Sequence, residues 1–163
     1  MQPFRFHSIY QPRIWGGQSM RTMLGRELPD RETAYGEAWE ISDRPEAMSI
    51  VKDGEWEGMP LHQLWEEHRQ EIFGPGYERF PRFPLLCKIL DARENLSVQV
   101  HPPERTAAAR QGEVKNEIWY VLHASPDALI YGGMEENATL PDIRHAAETG
   151  QMEQLIRSTH LEP

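Results

Sequence analysis

Cysteine is nearly absent. The 163 residues contain one, Cys87, so no disulfide can close within the chain, and burial and hydrogen bonding must hold the fold. Set in the apolar string PLLCKIL, Cys87 reads as a small buried hydrophobe. Also missing is any apolar run near the roughly 20 residues that cross a bilayer. The opening MQPFRFHSIYQPR has neither an apolar signal core nor a small-residue cleavage site. These absences predict a cytoplasmic chain with no membrane partner. Positive charge is short as well, since 26 acidic residues face 17 Lys and Arg for a formal net charge of −9. That balance argues against broad binding to nucleic acid or an anionic surface. A small anionic substrate stays open, because charges more than about 10 Å away are screened and a few local lysines outweigh them. There is no internal repeat and no low-complexity tract, which excludes solenoids and disordered tails.

What is present is punctuation. Thirteen prolines and twelve glycines divide the chain into brief segments, which favours many short strands over long helices. The strings at 36–42 (GEAWEIS), 47–51 (AMSIV), 84–90 (PLLCKIL), 96–101 (LSVQVH), 116–122 (NEIWYVL) and 127–133 (DALIYGG) read as strands, so the fold class is mainly β with helical insertions. One insertion is predicted near 58–73, where Leu61, Leu64, Trp65 and Ile72 recur at helical spacing between Pro60 and Gly74. A short alanine-rich helix is expected at 103–112. Terminal helices are expected near 139–158, the first opened by Thr139 with Asp142 three residues on in an approximate capping box.

The chemistry concentrates in two strings. If Ser97-Val98-Gln99-Val100-His101 is a strand, Val98 and Val100 face one side while Ser97, Gln99 and His101 face the other. Gln99 and His101 then stand about 6.5 Å apart along the strand, from two rises of about 3.3 Å, and their side chains can converge on one ion. In Lys115-Asn116-Glu117-Ile118-Trp119-Tyr120 the same alternation puts Lys115, Glu117 and Trp119 on one face. Glu117 could complete a Gln, His, Glu set of mixed nitrogen and oxygen donors with a position open to substrate. On spacing alone, a solvated or hydrogen-bonded strand face is the commoner explanation of these residues, ahead of a metal site. Lys88, inside an otherwise apolar strand, needs a partner or a route to water. His62 and His68 lie in the amphipathic helix, and His7, His123, His145 and His160 sit in no motif, so none is assigned as a ligand.

The linked motifs carry further information. SVQVHPP resembles the Gln-x-His-Pro signature of type I mannose-6-phosphate isomerases, and VKNEIWYVL resembles their Lys-x-Glu-x-Trp-Tyr segment. RIWGGQSM, GEAWEIS and FPLLCKIL resemble the family's Trp-Gly-Gly opening, its Gly-Glu-x-Trp-x-Ile-Ser block and its Phe-Pro-Leu-Leu-x-Lys strand. The motifs come in the family's order over almost the whole chain.

The resemblance implies a cupin or jelly-roll-like barrel. It also implies a zinc-dependent aldose–ketose isomerase that interconverts mannose 6-phosphate and fructose 6-phosphate. Its zinc ligands would be Gln99, His101 and Glu117; its substrate contacts Ser97, Lys88 and Lys115; and Lys115 would be a candidate proton shuttle. Which side chain is the general base stays open. In the family a fourth zinc ligand, a histidine, follows beyond the residues matched here. Residues 1–163 are therefore expected to be the amino-terminal portion of such an enzyme, with an incomplete barrel, weak metal binding, no activity alone, and open strand edges that invite homo-oligomers. The alternatives are a non-catalytic cupin-like sugar-phosphate-binding module and a plain metal-binding β domain.

Overall fold

The computed structural model describes residues 3–110 and 112–163. The chain divides into two compact units that meet in sequence at Leu96 and Ser97. β-Sheets with some helices make up both, and among the described residues no sheet closes into a barrel.

The first unit opens with β1 (Ile9–Gly17) and a single helical turn, α1 (Ser19–Thr22), followed by β2 (Tyr35–Ile41). A two-stranded hairpin of β3 (Asp43–Arg44) and β4 (Ala47–Met48) comes next. Helices α2 (Leu61–Glu67) and α3 (Arg69–Phe73) precede β5 (Cys87–Leu90). β1, β2 and β5 form a three-stranded antiparallel sheet with β2 in the centre. Pro12 lies on the edge strand β1 where the register shifts, a place where its missing N–H costs no ladder bond.

Two glycines decide how closely β1 and β2 approach. A Cβ on Gly16 would lie 2.6 Å from the backbone nitrogen of Gly36, and one on Gly36 would lie 2.6 Å from both the Trp15 ring and Arg13 Cβ. Glycine is required at both positions because only a bare backbone fits. The Trp-Gly-Gly and Gly-Glu-x-Trp motifs are thus one packing unit. Nearby, the buried Asp91 carboxylate accepts the Met20 amide at 2.7 Å, and Met20, Tyr35 and Ala38 form a core with Tyr10, Leu28 and Ile89 against it.

A second buried group surrounds α2. Leu61, Leu64 and Trp65 lie on its inward face, each with 1% exposure or less, as their helical spacing predicts. The single expected helix is two helices, because His68 leaves helical geometry at φ −125° and ψ 19° and its ring packs against Trp56 with 4.3 Å between centroids. Trp65 is the hub. Its ring meets Phe73, Phe83 and Tyr77 at 5.1, 5.7 and 6.0 Å, and its indole N–H donates to the Phe80 carbonyl.

The second unit carries α4 (Glu104–Ala107), extended by a 3-10 turn (Ala108–Arg110), and β6 (Leu129–Met134). Helix α5 (Leu140–Thr149), a second 3-10 turn (Met152–Leu155) and β7 (Ile156–His160) complete it. The helix expected at 103–112 is shorter than read, and its residue 111 lies outside the described residues. β6 and β7 pair antiparallel, with a register shift between Tyr131 and Met134 where Gly133 adopts a positive φ of 77°. α5 has the capping box expected from sequence, Asp142 N–H donating to Thr139 Oγ1 and Thr139 N–H donating to the Asp142 carboxylate, and it ends on left-handed Gly150. Residues 156–158, read as the end of a terminal helix, pair instead as β7. The β-branched Ile156 and Thr159 suit a strand, and β6 supplies the neighbour.

Three further expectations are corrected. The strings 96–101 and 116–122 join no sheet, since alternation reports a face but a strand also needs a hydrogen-bonded neighbour. Cys87 is exposed, because β5 is an edge of its sheet.

Two predictions follow from the packing of the first unit. Trp65→Ala removes the hub of its aromatic group and should lower unfolding free energy by about 3–5 kcal/mol, read from urea denaturation followed by circular dichroism. Asp30 is the second test. The Thr33 amide first, and then the Tyr35 hydroxyl, hold its carboxyl down to about 2, against the weak opposing effect of burial. Because the folded value lies below the unfolded one, this contribution to stability is complete above about pH 4 and is lost as pH falls through 2. Asp30→Asn should therefore be less stable than the parent at pH 5 to 7, with the gap in denaturation midpoint closing between pH 4 and pH 2.

Candidate functional site

In the first unit, the polar centre of the sheet is a buried carboxylate. Glu37 in β2 keeps 8% of its side-chain surface and receives three donors. Lys88 Nζ of β5 lies 3.2 Å from Oε1, while Arg13 Nη2 of β1 and the Trp39 indole N–H each reach Oε2 at 2.8 Å. Register explains the meeting. Glu37 pairs with Leu90 and Trp39 with Lys88, so Lys88 and Glu37 are diagonal neighbours on one face of the sheet. Burial pushes the Glu37 carboxyl up, but the Trp39 hydrogen bond and the Lys88 and Arg13 charges outweigh it and leave the carboxyl below its ordinary range.

A lysine in an apolar strand needs a partner, and Glu37 is the partner of Lys88. Sequence reasoning missed Glu37, Arg13 and Trp39. The signal was available in GEAWEIS, whose carboxylate and indole alternate onto one face, but only strand pairing brings them to Lys88.

In the second unit, the structure brings together three of the residues read from sequence. His101 Nε2 stands 4.0 Å from Glu117 Oε2, and Lys115 Nζ stands 3.1 Å from Glu117 Oε1. Gln99 instead donates from Nε2 to the Ser97 hydroxyl at 3.3 Å. Lys115 and Glu117 meet as alternate residues of one segment, while His101 comes from a segment 16 positions earlier.

A zinc ion sits about 2.0–2.2 Å from a histidine nitrogen or a carboxylate oxygen, so two such ligands of one ion lie no more than about 4.3 Å apart. The His101–Glu117 separation of 4.0 Å falls inside that limit, and Lys115 occupies the other carboxylate oxygen. The donor types suit a borderline-soft divalent ion. Among the described residues no group of three or more His, Cys, Asp or Glu could hold a metal, and the nearest further donor in sequence is the Gln99 amide two residues before His101.

His62 and His68 make contacts elsewhere. His62 Nδ1 contacts the buried Asp43 carboxylate at 3.0 Å, which also accepts the Phe83 amide, and His68 packs on Trp56. Trp15 packs against Gly36. No helix among the described residues is long and apolar enough to cross a membrane.

Residues 3–123 match the family model of the type I phosphomannose isomerase catalytic domain, a range that includes both clusters. A mannose-6-phosphate isomerase of Streptococcus mutans is 40% identical over 157 residues, covering 95% of this chain and 48% of its own. The mannose-6-phosphate isomerase ManA of Bacillus subtilis is 37% identical over 166 residues, covering 99% and 50%. The crystal structure of the mannose 6-phosphate isomerase from Bacillus subtilis superposes with a TM-score of 0.86 at 34% identity, covering all of this chain and 51% of that one. The chain thus spans about half the length of the relatives it matches. With most of its length matched by the family model, the chain belongs to the type I phosphomannose isomerase family.

Proposed function

We propose that this chain supplies one half of a cytoplasmic, zinc-dependent aldose–ketose isomerase of cupin-like architecture that interconverts mannose 6-phosphate and fructose 6-phosphate. The observation that carries the reading is the meeting of His101, Glu117 and Lys115 inside the region matched by the catalytic-domain family. The named activity of relatives about 40% identical supports the substrate, a hexose 6-phosphate.

Gln99, His101 and Glu117 would hold the zinc ion. When bound, it would polarise sugar oxygens and lower the cost of charge developing on them. The reaction moves a proton between C1 and C2 of the sugar through an enediol, and needs a group that takes the proton from one carbon and returns it to the other. Lys115 is our candidate. Its ammonium is held by Glu117 beside His101, which places a nitrogen that can carry a proton next to the candidate ligands. Ser97 would orient a sugar hydroxyl, its own hydroxyl being directed by the Gln99 amide. Lys88, fixed by the buried Glu37, would present a compact positive charge to an anionic group. The chain by itself should turn over little substrate, because half of the length of its relatives lies outside it.

Zinc content after equilibration and exhaustive dialysis tests the metal assignment. Gln99→Ala, His101→Ala and Glu117→Ala should each weaken zinc binding by at least about tenfold, and equal zinc in all three variants and the parent would refute the ligand set. Lys115→Ala should retain zinc at the parent level or above, since its ammonium competes for the Glu117 carboxylate. Loss of zinc in that variant would mean that Lys115 organises the ligands and is not a group acting on substrate. Robust isomerase turnover by the purified 163-residue chain would contradict the half-enzyme reading, and mannose 6-phosphate binding without turnover after assembly with the missing half would favour a binding module.

A further inference from the structure

Asp53 is the only aspartate or asparagine of the chain that is followed by glycine. The other five aspartates and the three asparagines all precede residues that carry a Cβ. The difference is chemical. The backbone nitrogen after an aspartate can attack the side-chain carboxyl carbon and close a succinimide ring, and a Cβ on the following residue crowds that approach. One peptide bond of the chain, Asp53–Gly54, is free of that obstacle.

The fold leaves the attacking side of this bond unrestrained. Gly54 adopts a φ of 87°, and a Cβ placed on it would meet nothing within 4 Å. Its carbonyl accepts the Glu57 amide at 3.2 Å, but its own N–H has no acceptor among the described residues. The nitrogen can therefore turn toward Asp53 without giving up a hydrogen bond. The carboxylate side is restrained instead. Arg5 Nε donates to Asp53 Oδ1 at 3.3 Å and Arg5 Nη2 lies 2.6 Å from Oδ2. The Arg5 carbonyl accepts the Lys52 amide at 2.8 Å, which fixes the base of that side chain beside the turn. Ring closure expels one of the two oxygens that Arg5 holds.

We propose that Asp53 is a site of spontaneous backbone rearrangement to isoaspartate, with the Gly54 nitrogen as nucleophile and the Arg5 guanidinium as the brake. In the first step a bond forms between Gly54 N and Asp53 Cγ. One carboxylate oxygen leaves as water with the amide proton and a proton from solvent. In the second step water adds to the Asp53 backbone carbonyl carbon and the bond from that carbon to Gly54 N breaks. Asp53 then carries its carboxylate on Cα, and the chain runs on through Cβ and Cγ. Water is the only co-reactant, and nothing is oxidised or reduced.

The product lengthens the backbone inside a closed turn. The Val51 N–H donates to the Met59 carbonyl at 3.0 Å and the Gly58 N–H donates to the Val51 carbonyl at 2.9 Å, so both ends of the turn are tied. Trp56, which packs on His68 at the break between α2 and α3, lies between those ties. The extra methylene has to be absorbed by the same short stretch that presents Trp56.

The folded 163-residue chain, incubated in heavy-oxygen water at neutral pH and then mapped by mass spectrometry with fragmentation that separates isoaspartate from aspartate, tests the proposal. Asp53 should take up heavy oxygen and accumulate isoaspartate about tenfold faster or more than any other aspartate or asparagine, because only there is the Cβ missing. Asp53→Glu keeps a carboxylate for Arg5 and should show no rearrangement at residue 53. Arg5→Gln should speed the rearrangement by about two- to fivefold, the range that a surface ion pair supports. Circular dichroism of Arg5→Gln should match the parent, which separates a lost brake from lost folding. Asp53 that stays unlabelled in the folded chain, or that rearranges no faster than the other sites, overturns the proposal. An unchanged rate in a folded Arg5→Gln variant overturns the role of Arg5. Neither readout involves zinc, substrate or turnover, so failure of the isomerase reading leaves this one intact.

Discussion

One buried carboxylate joins every strand of the main sheet. Glu37 in β2 takes a hydrogen bond from Arg13 of β1, from Trp39 of its own strand and from Lys88 of β5, so three strands meet at one charge. A carboxylate removed from water is costly unless its lone pairs are satisfied and its charge is balanced. Here three donors and two cations meet that requirement. The consequence is geometric. With Lys88 held by Glu37 and Glu37 held by the other strands, an ammonium that would otherwise move on a four-carbon stem is kept at a defined place on the sheet face.

The crossing of β1 and β2 makes that arrangement reachable. Gly16 and Gly36 let the two backbones approach within the space a single methyl would need, and the Trp15 ring closes over Gly36. Arg13, two residues before Trp15, then faces Glu37. Asp91, just beyond β5, anchors the start of α1 by accepting the Met20 amide. The motifs that mark the family in sequence are, in space, neighbours at one crossing. Polar satisfaction and steric fit constrain the same few residues.

The second unit is organised differently. The β6–β7 hairpin and the capped helix α5 are locally specified. A glycine-rich register shift bends the hairpin at Gly133, and Thr139 with Asp142 closes the helix start. The segments bearing Gln99, His101, Lys115 and Glu117 have no comparable local device. Side-chain contacts join His101, Glu117 and Lys115, while Val100, Ile118 and Tyr120 stand in water. The candidate metal-binding donors are therefore brought together by tertiary contact, where the hairpin and helix rest on sequence neighbours.

How much was legible follows from that difference. Helical spacing named Leu61, Leu64 and Trp65 as the inward face of α2, and the strings at 36–42, 84–90 and 127–133 overlap β2, β5 and β6, because periodicity reports burial directly. Capping chemistry likewise marked Thr139 and Asp142, since both partners lie within one turn. The break of the helix at His68, the exposure of Cys87 and the strand at 156–160 were not legible, for each depends on what packs alongside. The sequence by itself determined the donor types at 99, 101, 115 and 117, their alternation, and the family to which the chain belongs. Only the tertiary structure decided that Glu37 is the partner of Lys88 and that His101 meets Glu117, because residues 51 and 16 positions apart are made neighbours by strand pairing and packing, which no local pattern encodes.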